Sequence, residues 1–330
     1  MPRVVRFHTV GAADVLQIDE LPVPEATNDE VVIDVRAFGL NRAEIMFRRG
    51  EYPQYAPDLP STLGYEASGT VRALGPGVTG LQVGDAVSTI PSFKMGRYWT
   101  YGEVARVPAH AVARFPARLS WVEATAIWMP YITAYGGLIE YGKLKAGEHV
   151  VIRAASSSVG IAAIQIARHI GAIPIAVTRD TSKLPFLQTQ GPAHILTSDE
   201  GTLTSAIMAV TQGHGADMIF DPVSGPEVET LCRALAYQGR LFIYGRLNGA
   251  PTHFPVGLGL AKGITLRGFS LFEIVNFPDR FARVKAAVYA GLESGIYQPV
   301  IAEIFQLDDI VAAHRYMESN IQQGKIVIAV

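Results

Sequence analysis

A run of small residues at positions 155–160 is the part of the sequence best suited to chemistry. It consists of Ala155, Ser156, Ser157, Ser158, Val159 and Gly160. Small side chains let a backbone approach a phosphate closely, and the serine hydroxyls add hydrogen-bond donors. If the run opens a helix, the free N–H groups of the first turn favour an anion such as a pyrophosphate. Only Gly160 matches the dinucleotide-binding pattern G-x-G-x-x-G, so an ordinary strand-to-helix turn is the alternative.

A charged segment follows at the position where dinucleotide-binding chains distinguish their cofactors. An acidic residue about 20 positions after the last glycine normally binds the ribose 2′-hydroxyl of NAD. Here that position holds Arg179, with Thr178 before it and Lys183 shortly after it. A guanidinium suits a 2′-phosphate, so the segment predicts NADP(H). Asp180 is the alternative, because its carboxylate can bind the ribose hydroxyl of NAD(H). A solvated charged loop without a ligand is the structural alternative. Pro185 is expected to interrupt the next helix and displace Lys183.

These residues are positioned by a strand, a helix and a second strand. The apolar run at 149–154 predicts a buried strand, 159–170 predicts an amphipathic helix that ends at Gly171, and 173–177 predicts a parallel strand. Further strands are predicted at 194–196, 218–221 and 240–244, with helical segments between them. Alternating strands and helices predict the α/β fold class, with a doubly wound parallel sheet.

The first 120 or so residues have a different pattern. Short strands are predicted at 4–7 and 16–20, paired around Gly11, and the segment 30–37 alternates apolar and polar residues as a half-buried strand does. Ser120 and Glu123 then fit the capping box of a helix. This pattern predicts a small, β-rich, barrel-like domain ahead of the parallel sheet.

Composition indicates an ordinary globular protein. The chain has 330 residues, 49% of them hydrophobic, and a net charge of −2, which supports neither nucleic-acid binding nor a membrane surface. Cys232 is the single cysteine, which excludes an internal disulfide framework and a cysteine-based zinc lobe. No apolar run is long enough to span a membrane, and the first residues lack a signal-peptide core. A cytoplasmic enzyme is therefore expected.

Seven short motifs occur in a fixed order along nearly the whole chain. They are AFGLN at 37–41, RGEYP at 49–53, LGYEASG at 63–69, VGD at 83–85, AASSSVG at 154–160, DPV at 221–223 and GKIV at 324–327. In this order they resemble the zinc-independent medium-chain dehydrogenases/reductases of the quinone oxidoreductase type. The resemblance implies a GroES-like catalytic domain of residues 1–123 and 266–330, a Rossmann NADP(H)-binding domain of residues 124–265, and a homodimer or homotetramer.

The zinc-using relatives in this resemblance differ from the chain at two positions. They carry a cysteine where this chain has Asn41 and a histidine where it has Tyr65. A catalytic zinc needs about three ligands from cysteine, histidine or carboxylate, and neither asparagine nor tyrosine is a usual one. The eight histidines show no paired ligand spacing. No metal site is predicted.

The same resemblance implies which residues form the site. Asn41 and Tyr52 are the implied catalytic residues: the Asn41 amide orients the cofactor or the carbonyl, and the Tyr52 phenol donates a hydrogen bond or a proton. Packing beneath Pro53 is the alternative for Tyr52. Lys325 is implied to reach the cofactor phosphates from the other domain. The further implied cofactor contacts are Asn41 itself, Thr133, Tyr244, Gly245, Arg246, Phe269 and Leu271.

The resemblance implies NADPH-dependent, zinc-free hydride transfer to a quinone or a related activated carbonyl. Such acceptors are already electrophilic, so hydrogen bonds can replace a Lewis acid. Two alternatives are an NADPH-dependent enoyl or alkenal double-bond reductase and a non-catalytic NADPH-binding protein. The expected partner is a small-molecule quinone or enone, with no nucleic acid and no membrane.

Overall fold

The chain divides into two compact units. A computed structural model describes residues 1–198 and 201–330. The first unit comprises Met1–Met129 and Pro299–Val330, and the second comprises Pro130–Gln298. The first is rich in β-strands and the second holds a parallel sheet flanked by helices, which confirms the predicted fold class. Within the described ranges, every helix is too short or too polar to cross a membrane.

The regular elements are numbered in chain order. The strands are β1 (Arg3–Phe7), β2 (Leu16–Glu20), β3 (Glu30–Gly39), β4 (Ser61–Thr62), β5 (Glu66–Leu74), β6 (Ala86–Thr89), β7 (Val104–Pro108), β8 (Val112–Arg114), β9 (His149–Arg153), β10 (Ile173–Thr178), β11 (His194–Thr197), β12 (Ala216–Asp221), β13 (Leu235–Ile243), β14 (Thr265–Gly268), β15 (Ile301–Gln306) and β16 (Lys325–Ala329). The helices are α1 (Arg42–Arg48), α2 (Trp121–Ala124), α3 (Trp128–Tyr135), α4 (Ser158–His169), α5 (Leu184–Thr189), α6 (Leu203–Val210), α7 (Val228–Ala234), α8 (Val256–Lys262), α9 (Phe272–Val275), α10 (Pro278–Glu293) and α11 (Ile310–Ser319). A short π-helix (Gly136–Tyr141) follows α3.

The second unit is built on a six-stranded parallel sheet in the order β11-β10-β9-β12-β13-β14. The order reverses at β9, as in doubly wound sheets that bind ligands at the carboxyl ends of their strands. The central strand β9 buries Val150, Val151 and Ile152 completely. This agrees with its continuous apolar sequence, because parallel strands are covered on both faces.

Helix α4 follows β9 and begins at the small-residue run. Its N-cap is Ser157, whose hydroxyl accepts a hydrogen bond from the Gly160 N–H at 3.1 Å. The helix ends before Gly171, whose φ of 81° is left-handed as the sequence predicts. The buried surface of α4 is broader than the single apolar face expected of an amphipathic helix, because Ile161 and Ile164 are also buried.

The first unit contains two sheets. A three-stranded sheet has the order β2-β1-β4, and a larger sheet has the order β15-β16-β3-β5-β6-β8, with β7 also paired to β3. The pairs are antiparallel except β15 with β16. The C-terminal strand β16 pairs with β3, so distant parts of the sequence complete one sheet. The capping box of Ser120 and Glu123 is present at α2.

The unit boundaries differ from the predicted domain boundaries. The sequence places residues 266–298 with the catalytic domain, whereas the contacts place them in the second unit. The reason is β14, which pairs in parallel with β13 and completes the six-stranded sheet. This strand has four residues, none of them buried, so its sequence carries little strand signal.

Candidate active site

The turn between β9 and α4 is shaped for close approach of a ligand to the backbone. Ala154 has a φ of 49°, which is left-handed. A Cβ at Gly160 would lie 2.6 Å from the carbonyl oxygens of Ala154 and Ala155, so only glycine fits there. Ser156 is buried, while Ser157, Ser158 and Val159 are half-buried. These features suit a diphosphate at the start of α4.

The charged residues that follow β10 differ in exposure and in hydrogen-bond partners. Thr178 is buried and Arg179 is exposed. The Asp180 carboxylate caps the next turn by accepting the Ser182 N–H at 2.9 Å. Hydrogen bonds from the Ser182 side chain and backbone lower the pKa of Asp180. Lys183 is 7% exposed. Arg179 is therefore the accessible cation of this segment, and Asp180 is engaged with its own backbone.

The structure corrects the expectation for Pro185. This residue lies in the first turn of α5 and does not interrupt a helix. Proline is well tolerated there, because the first-turn N–H groups have no partner within the helix. Lys183 is the N-cap residue of α5, so its burial follows from the start of the helix.

The segment after β13 presents a buried hydroxyl. The Tyr244 ring stacks on Phe220 with centroids 4.0 Å apart. Within residues 1–198 and 201–330, the Tyr244 Oη makes no hydrogen bond. Burial, with a smaller effect of Asp221, raises the pKa of Tyr244, and the nearby Ser157 hydroxyl acts in the opposite direction. A buried hydroxyl without a partner is suited to receive a ligand group.

Gly245 and Arg246 follow this tyrosine. A Cβ at Gly245 would lie 2.7 Å from the Pro222 carbonyl oxygen, so the backbone there is tightly packed. Arg246 is exposed. Because β13 ends at Ile243, both residues lie beyond its carboxyl end, where this type of sheet binds ligands.

A buried ion-pair network that the sequence analysis missed supports the loop after β12. Arg153 and Asp221 are 2% and 0% exposed and are joined at 3.2 Å, and Arg153 also pairs with Glu227. Asp221 accepts the N–H groups of Val223 and Ser224, each at 2.9 Å. Burial raises the pKa of Asp221, which Arg153 opposes. The sequence signal for this network was Arg153, a charged residue at the end of the otherwise apolar strand β9.

Three more predicted cofactor contacts are largely buried. Thr133, Phe269 and Leu271 are 6%, 5% and 6% exposed. The Phe269 N–H donates to the Ile243 carbonyl oxygen at 2.8 Å. That backbone donor is therefore engaged within the second unit, and the predicted cofactor contact would need other groups of the segment.

A buried polar cluster occupies the region of Asn41 in the first unit. Asn41 is the N-cap residue of α1 and forms a capping box with Glu44. Its Nδ2 donates to Glu44 Oε1 at 3.1 Å, and its Oδ1 accepts from Lys325 Nζ at 2.5 Å. Lys325 also pairs with Glu66. Each of these four residues is at most 8% exposed.

This cluster engages the Lys325 ammonium. The sequence analysis assigns it to the cofactor phosphates. Lys325 is 2% exposed, and its ammonium is held by Asn41 and Glu66 within the first unit. The phosphate contact stays a prediction. Burial raises the pKa of Glu44 to about 8, although Lys325 acts in the opposite direction.

Three tyrosines form a second cluster near Tyr52. The Tyr65 hydroxyl lies 3.1 Å from the Tyr52 hydroxyl and 3.2 Å from the Tyr55 hydroxyl. Tyr65 is fully buried, and the other two are half-buried. Burial raises the pKa of Tyr52 to about 12, with the Tyr65 hydrogen bond acting against it. Tyr52 is thus a hydrogen-bonded phenol rather than only a packing residue.

Comparisons with known proteins identify two family models along the chain. Residues 27–150 match the family model of the alcohol dehydrogenase GroES-like domain, and residues 158–286 match that of the zinc-binding dehydrogenases. The human quinone oxidoreductase is 31% identical over 334 residues, covering 99% of this chain and 97% of that protein. The chain belongs to the quinone oxidoreductase family of medium-chain dehydrogenases/reductases. It is an oxidoreductase.

Two solved structures of similar proteins extend the comparison. The Escherichia coli quinone oxidoreductase complexed with NADPH has a TM-score of 0.90, is 25% identical, and covers 99% of this chain and 100% of that one. The CurK enoyl reductase has a TM-score of 0.89, is 26% identical, and covers 99% of each chain. The chain therefore resembles both quinone-reducing and enoyl-reducing proteins.

The name of the second family model mentions zinc, but this chain offers a poor zinc site. Asn41 and Tyr65 stand where zinc-using relatives have ligands, and the Lys325 ammonium contacts Asn41 directly. The positive charge of the buried Lys325 ammonium would repel a zinc ion bound at the same place. The described part of the chain also holds no group of three or more histidine, cysteine or acidic side chains arranged for a metal.

Proposed function

We propose that this protein is a zinc-free, NADPH-dependent reductase of quinones or related activated carbonyls. The observation that carries the proposal is the Lys325 ammonium, which lies 2.5 Å from Asn41 Oδ1 where metal-using relatives have a ligand. A site with a fixed ammonium in place of a Lewis acid suits acceptors that are already electrophilic. The full-length likeness to quinone oxidoreductases supports the same acceptor class.

The preference for NADP(H) rests on the segment after β10. Arg179 is exposed just after that strand, while the Asp180 carboxylate accepts the Ser182 N–H of the following turn. An arginine can bind a 2′-phosphate through two parallel hydrogen bonds. The Escherichia coli relative complexed with NADPH supports the assignment.

The turn before α4 and the segment after β13 also fit this cofactor. Gly160 leaves room for close backbone approach, and the N–H groups at the start of α4 suit a diphosphate. The buried Tyr244 hydroxyl, which lies near the Ser157 hydroxyl of the turn, is a further donor or acceptor for the cofactor. When bound, NADPH would supply the hydride, and every proton must come from the protein or from water.

Tyr52 is the proposed proton donor. Its pKa of about 12 keeps the phenol protonated at neutral pH, so it can donate to an oxygen that gains negative charge during reduction. Asn41 has a positioning role, because its Oδ1 accepts from Lys325 and its Nδ2 donates to Glu44. One Nδ2 hydrogen remains available for a carbonyl oxygen.

Replacing Tyr52 by phenylalanine tests the role of the phenol. Tyr52→Phe should lower kcat with an acceptor that needs a proton by on the order of 100-fold, the lower end for a general acid. NADPH binding, measured by fluorescence titration, should be unchanged. Wild-type kcat in Tyr52→Phe would remove the phenol from the mechanism and leave the fold assignment intact.

The second candidate function is an enoyl or alkenal double-bond reductase. The likeness to the CurK enoyl reductase favours it. The two functions differ in the atom that receives hydride, so product analysis after incubation with NADPH and an enone separates them. A saturated ketone indicates double-bond reduction, an allylic alcohol indicates carbonyl reduction, and a hydroquinone formed from a quinone supports the first proposal.

We further propose that the protein is cytoplasmic and forms homodimers or homotetramers. Large apolar side chains are exposed on the second unit, with Tyr237 74% exposed and Leu260 81% exposed. Exposed apolar side chains of this size support an association surface on this unit. Light scattering coupled to size-exclusion chromatography tests the assembly, and a monomer at micromolar concentration would contradict it.

A further inference from the structure

The three clustered tyrosines form a line of hydroxyls with a buried centre. Tyr65 is 0% exposed, and its hydroxyl lies within 3.2 Å of those of Tyr52 and Tyr55. The line continues to the backbone, because the Met95 N–H donates to the Tyr55 Oη at 2.9 Å. Tyr65 stands at the position that holds a histidine in the zinc-using relatives.

Aromatic packing fixes the three rings. Phe47 meets Tyr52 and Tyr55 edge-on, with centroids 6.1 Å and 5.8 Å away. Phe93 lies 5.5 Å from the Tyr65 ring. Side chains packed in this way keep one rotamer, so the spacing of the hydroxyls is a property of the fold.

The direction of the hydrogen bonds follows from the Met95 end. A backbone N–H can only donate, so the Tyr55 oxygen accepts there and its own proton is available to Tyr65. Tyr65 then accepts from Tyr55 and donates to Tyr52. In this order the oxygens of Tyr55, Tyr65 and Tyr52 each accept one hydrogen bond. The reverse order would require the Tyr55 oxygen to accept two.

We propose that Tyr65 is a positioning residue whose hydroxyl donates to Tyr52, so that the Tyr52 proton points out of the cluster towards the acceptor. This inference rests on the proposed function, in which Tyr52 is the proton donor. When the Tyr52 O–H bond breaks, its proton passes to the substrate oxygen and the electron pair stays on Oη. The Tyr65 O–H then stabilises that phenolate.

The same line provides a route for reprotonation. The Tyr65 proton moves to Tyr52, the Tyr55 proton moves to Tyr65, and water replaces the proton on Tyr55. Tyr55 is suited to this last step, because it is half-buried and the Lys94 ammonium lies 4.9 Å from its ring centroid. One water proton is consumed for each proton given to the substrate, so the cycle balances.

A spectroscopic titration of residue 52 tests the hydrogen bond without any turnover. Difluorotyrosine, whose phenol is acidified by fluorine, is introduced at position 52 and followed by ¹⁹F NMR from pH 5 to pH 10. Tyr65→Phe keeps the ring and removes the donor, so the pKa at position 52 should rise by about one unit, a tenfold change in ionisation. Tyr55→Phe, the second variant, should shift it less and in the same direction.

Phe93→Leu is the matched control, because it loosens the packing around Tyr65 and leaves all three hydroxyls. It should lower thermal stability and leave the pKa at position 52 unchanged. An unchanged or lowered pKa in Tyr65→Phe would overturn the proposed donor, as would an equal rise in Phe93→Leu.

Turnover separates this inference from the proposed function. In the same labelled protein, Tyr65→Phe should lower kcat several-fold, leave KM unchanged, and move the alkaline limb of the kcat profile to higher pH. If the pKa at position 52 shifts but the alkaline limb of the kcat profile does not move, Tyr65 is the hydrogen-bond donor and Tyr52 is not the acid in turnover. A loss that appears only in KM, without a change of pKa, contradicts the inference.

Discussion

Arg179 and Asp180 are neighbours with opposite charges and separate tasks. The aspartate caps a turn through the Ser182 N–H at 2.9 Å, whereas the arginine is exposed at the end of β10. From sequence alone either residue could select the cofactor. The capping bond of Asp180 supports the proposal that Arg179 selects the cofactor, and this bond depends on the backbone conformation after the strand.

Arg179→Gln should weaken NADPH binding and leave NADH binding nearly unchanged. A charge-assisted hydrogen bond to a phosphate contributes about 1.5–3 kcal/mol, so the Kd for NADPH should rise by roughly 10- to 100-fold. Fluorescence titration with both cofactors measures this. Arg233→Gln, which removes an exposed arginine paired with Glu229 on α7, is the control and should change neither Kd. A larger loss for NADH would contradict the assignment.

His314 is a buried histidine in the first unit. It is fully buried, and neither ring nitrogen has a hydrogen-bond partner in the described part of the chain. Burial, with a smaller contribution from Arg48, lowers the pKa of His314 to about 3. The unfolded chain takes up this proton near pH 6.5 and the folded chain does not. The stability associated with His314 is therefore present above pH 6.5 and is lost as the pH falls towards 3.

His314→Leu should reduce the loss of stability on acidification. Between pH 7 and pH 5, the unprotonated buried imidazole accounts for a loss of about 2 kcal/mol in the free energy of unfolding. The variant lacks this term, so its urea midpoint should fall less over the same interval. His253→Leu removes an exposed imidazole and should keep the wild-type pH dependence. Equal acid sensitivity of His314→Leu and wild type would show that His314 is not the cause.

At the scale of elements, α4 connects the sheet to the proposed diphosphate site. Its sequence predicts the strand, the small-residue turn, the helix and the terminal Gly171, and all four are present. These features are local, so hydrophobic pattern and turn chemistry suffice to predict them. The Arg153–Asp221 pair beneath the next loop is not local, because its partners are far apart in sequence and meet only when β9 pairs with β12.

Gly160→Ala should damage both the turn and cofactor binding. The added Cβ would lie 2.6 Å from two carbonyl oxygens, so the backbone must shift, at a destabilisation of about 1–3 kcal/mol. Thermal melting with and without NADPH measures both effects. Gly257→Ala within α8 is the matched control, since nothing lies within 4 Å of its Cβ, and it should be neutral or stabilising by up to about 1 kcal/mol. Similar behaviour of the two variants would contradict the steric argument.

At the scale of the whole molecule, Lys325 joins three distant parts of the sequence. It lies at the start of β16 and contacts Asn41 before α1 and Glu66 at the start of β5. The resemblance predicts that the C-terminal segment completes the first unit, and residues 299–330 do so. The sequence did not indicate the carboxylate partner of Lys325, because Glu66 is brought to it by sheet pairing and not by local sequence.

Lys325→Met should destabilise the first unit strongly. It would leave Glu66 buried without its cation, at a loss of about 3–5 kcal/mol in the free energy of unfolding. Glu66→Gln in the same chain removes the unpaired charge and should restore part of the loss. Urea denaturation of wild type, single variant and double variant forms the test. A double variant less stable than Lys325→Met would contradict the charge-pairing explanation.

The tyrosine line and the Asn41 cluster were the least predictable parts of the candidate site. The sequence points to Asn41, Tyr52 and Tyr65 separately, but it does not show that Tyr65 bridges Tyr52 and Tyr55. That arrangement depends on how the loop at 49–60 packs against Tyr65, which immediately precedes β5. The conformation of a loop does not follow from any periodic pattern in its sequence. The prediction of fold class needed only pattern and order.

The measurement that tests the central claim most directly is a paired assay of nicotinamide oxidation in the presence of a metal chelator. Purified protein is mixed with a quinone and with either NADPH or NADH, and loss of nicotinamide absorbance is followed. The account predicts turnover that resists the chelator and is much faster with NADPH. Turnover that the chelator abolishes and zinc restores, or turnover that is faster with NADH, would contradict it.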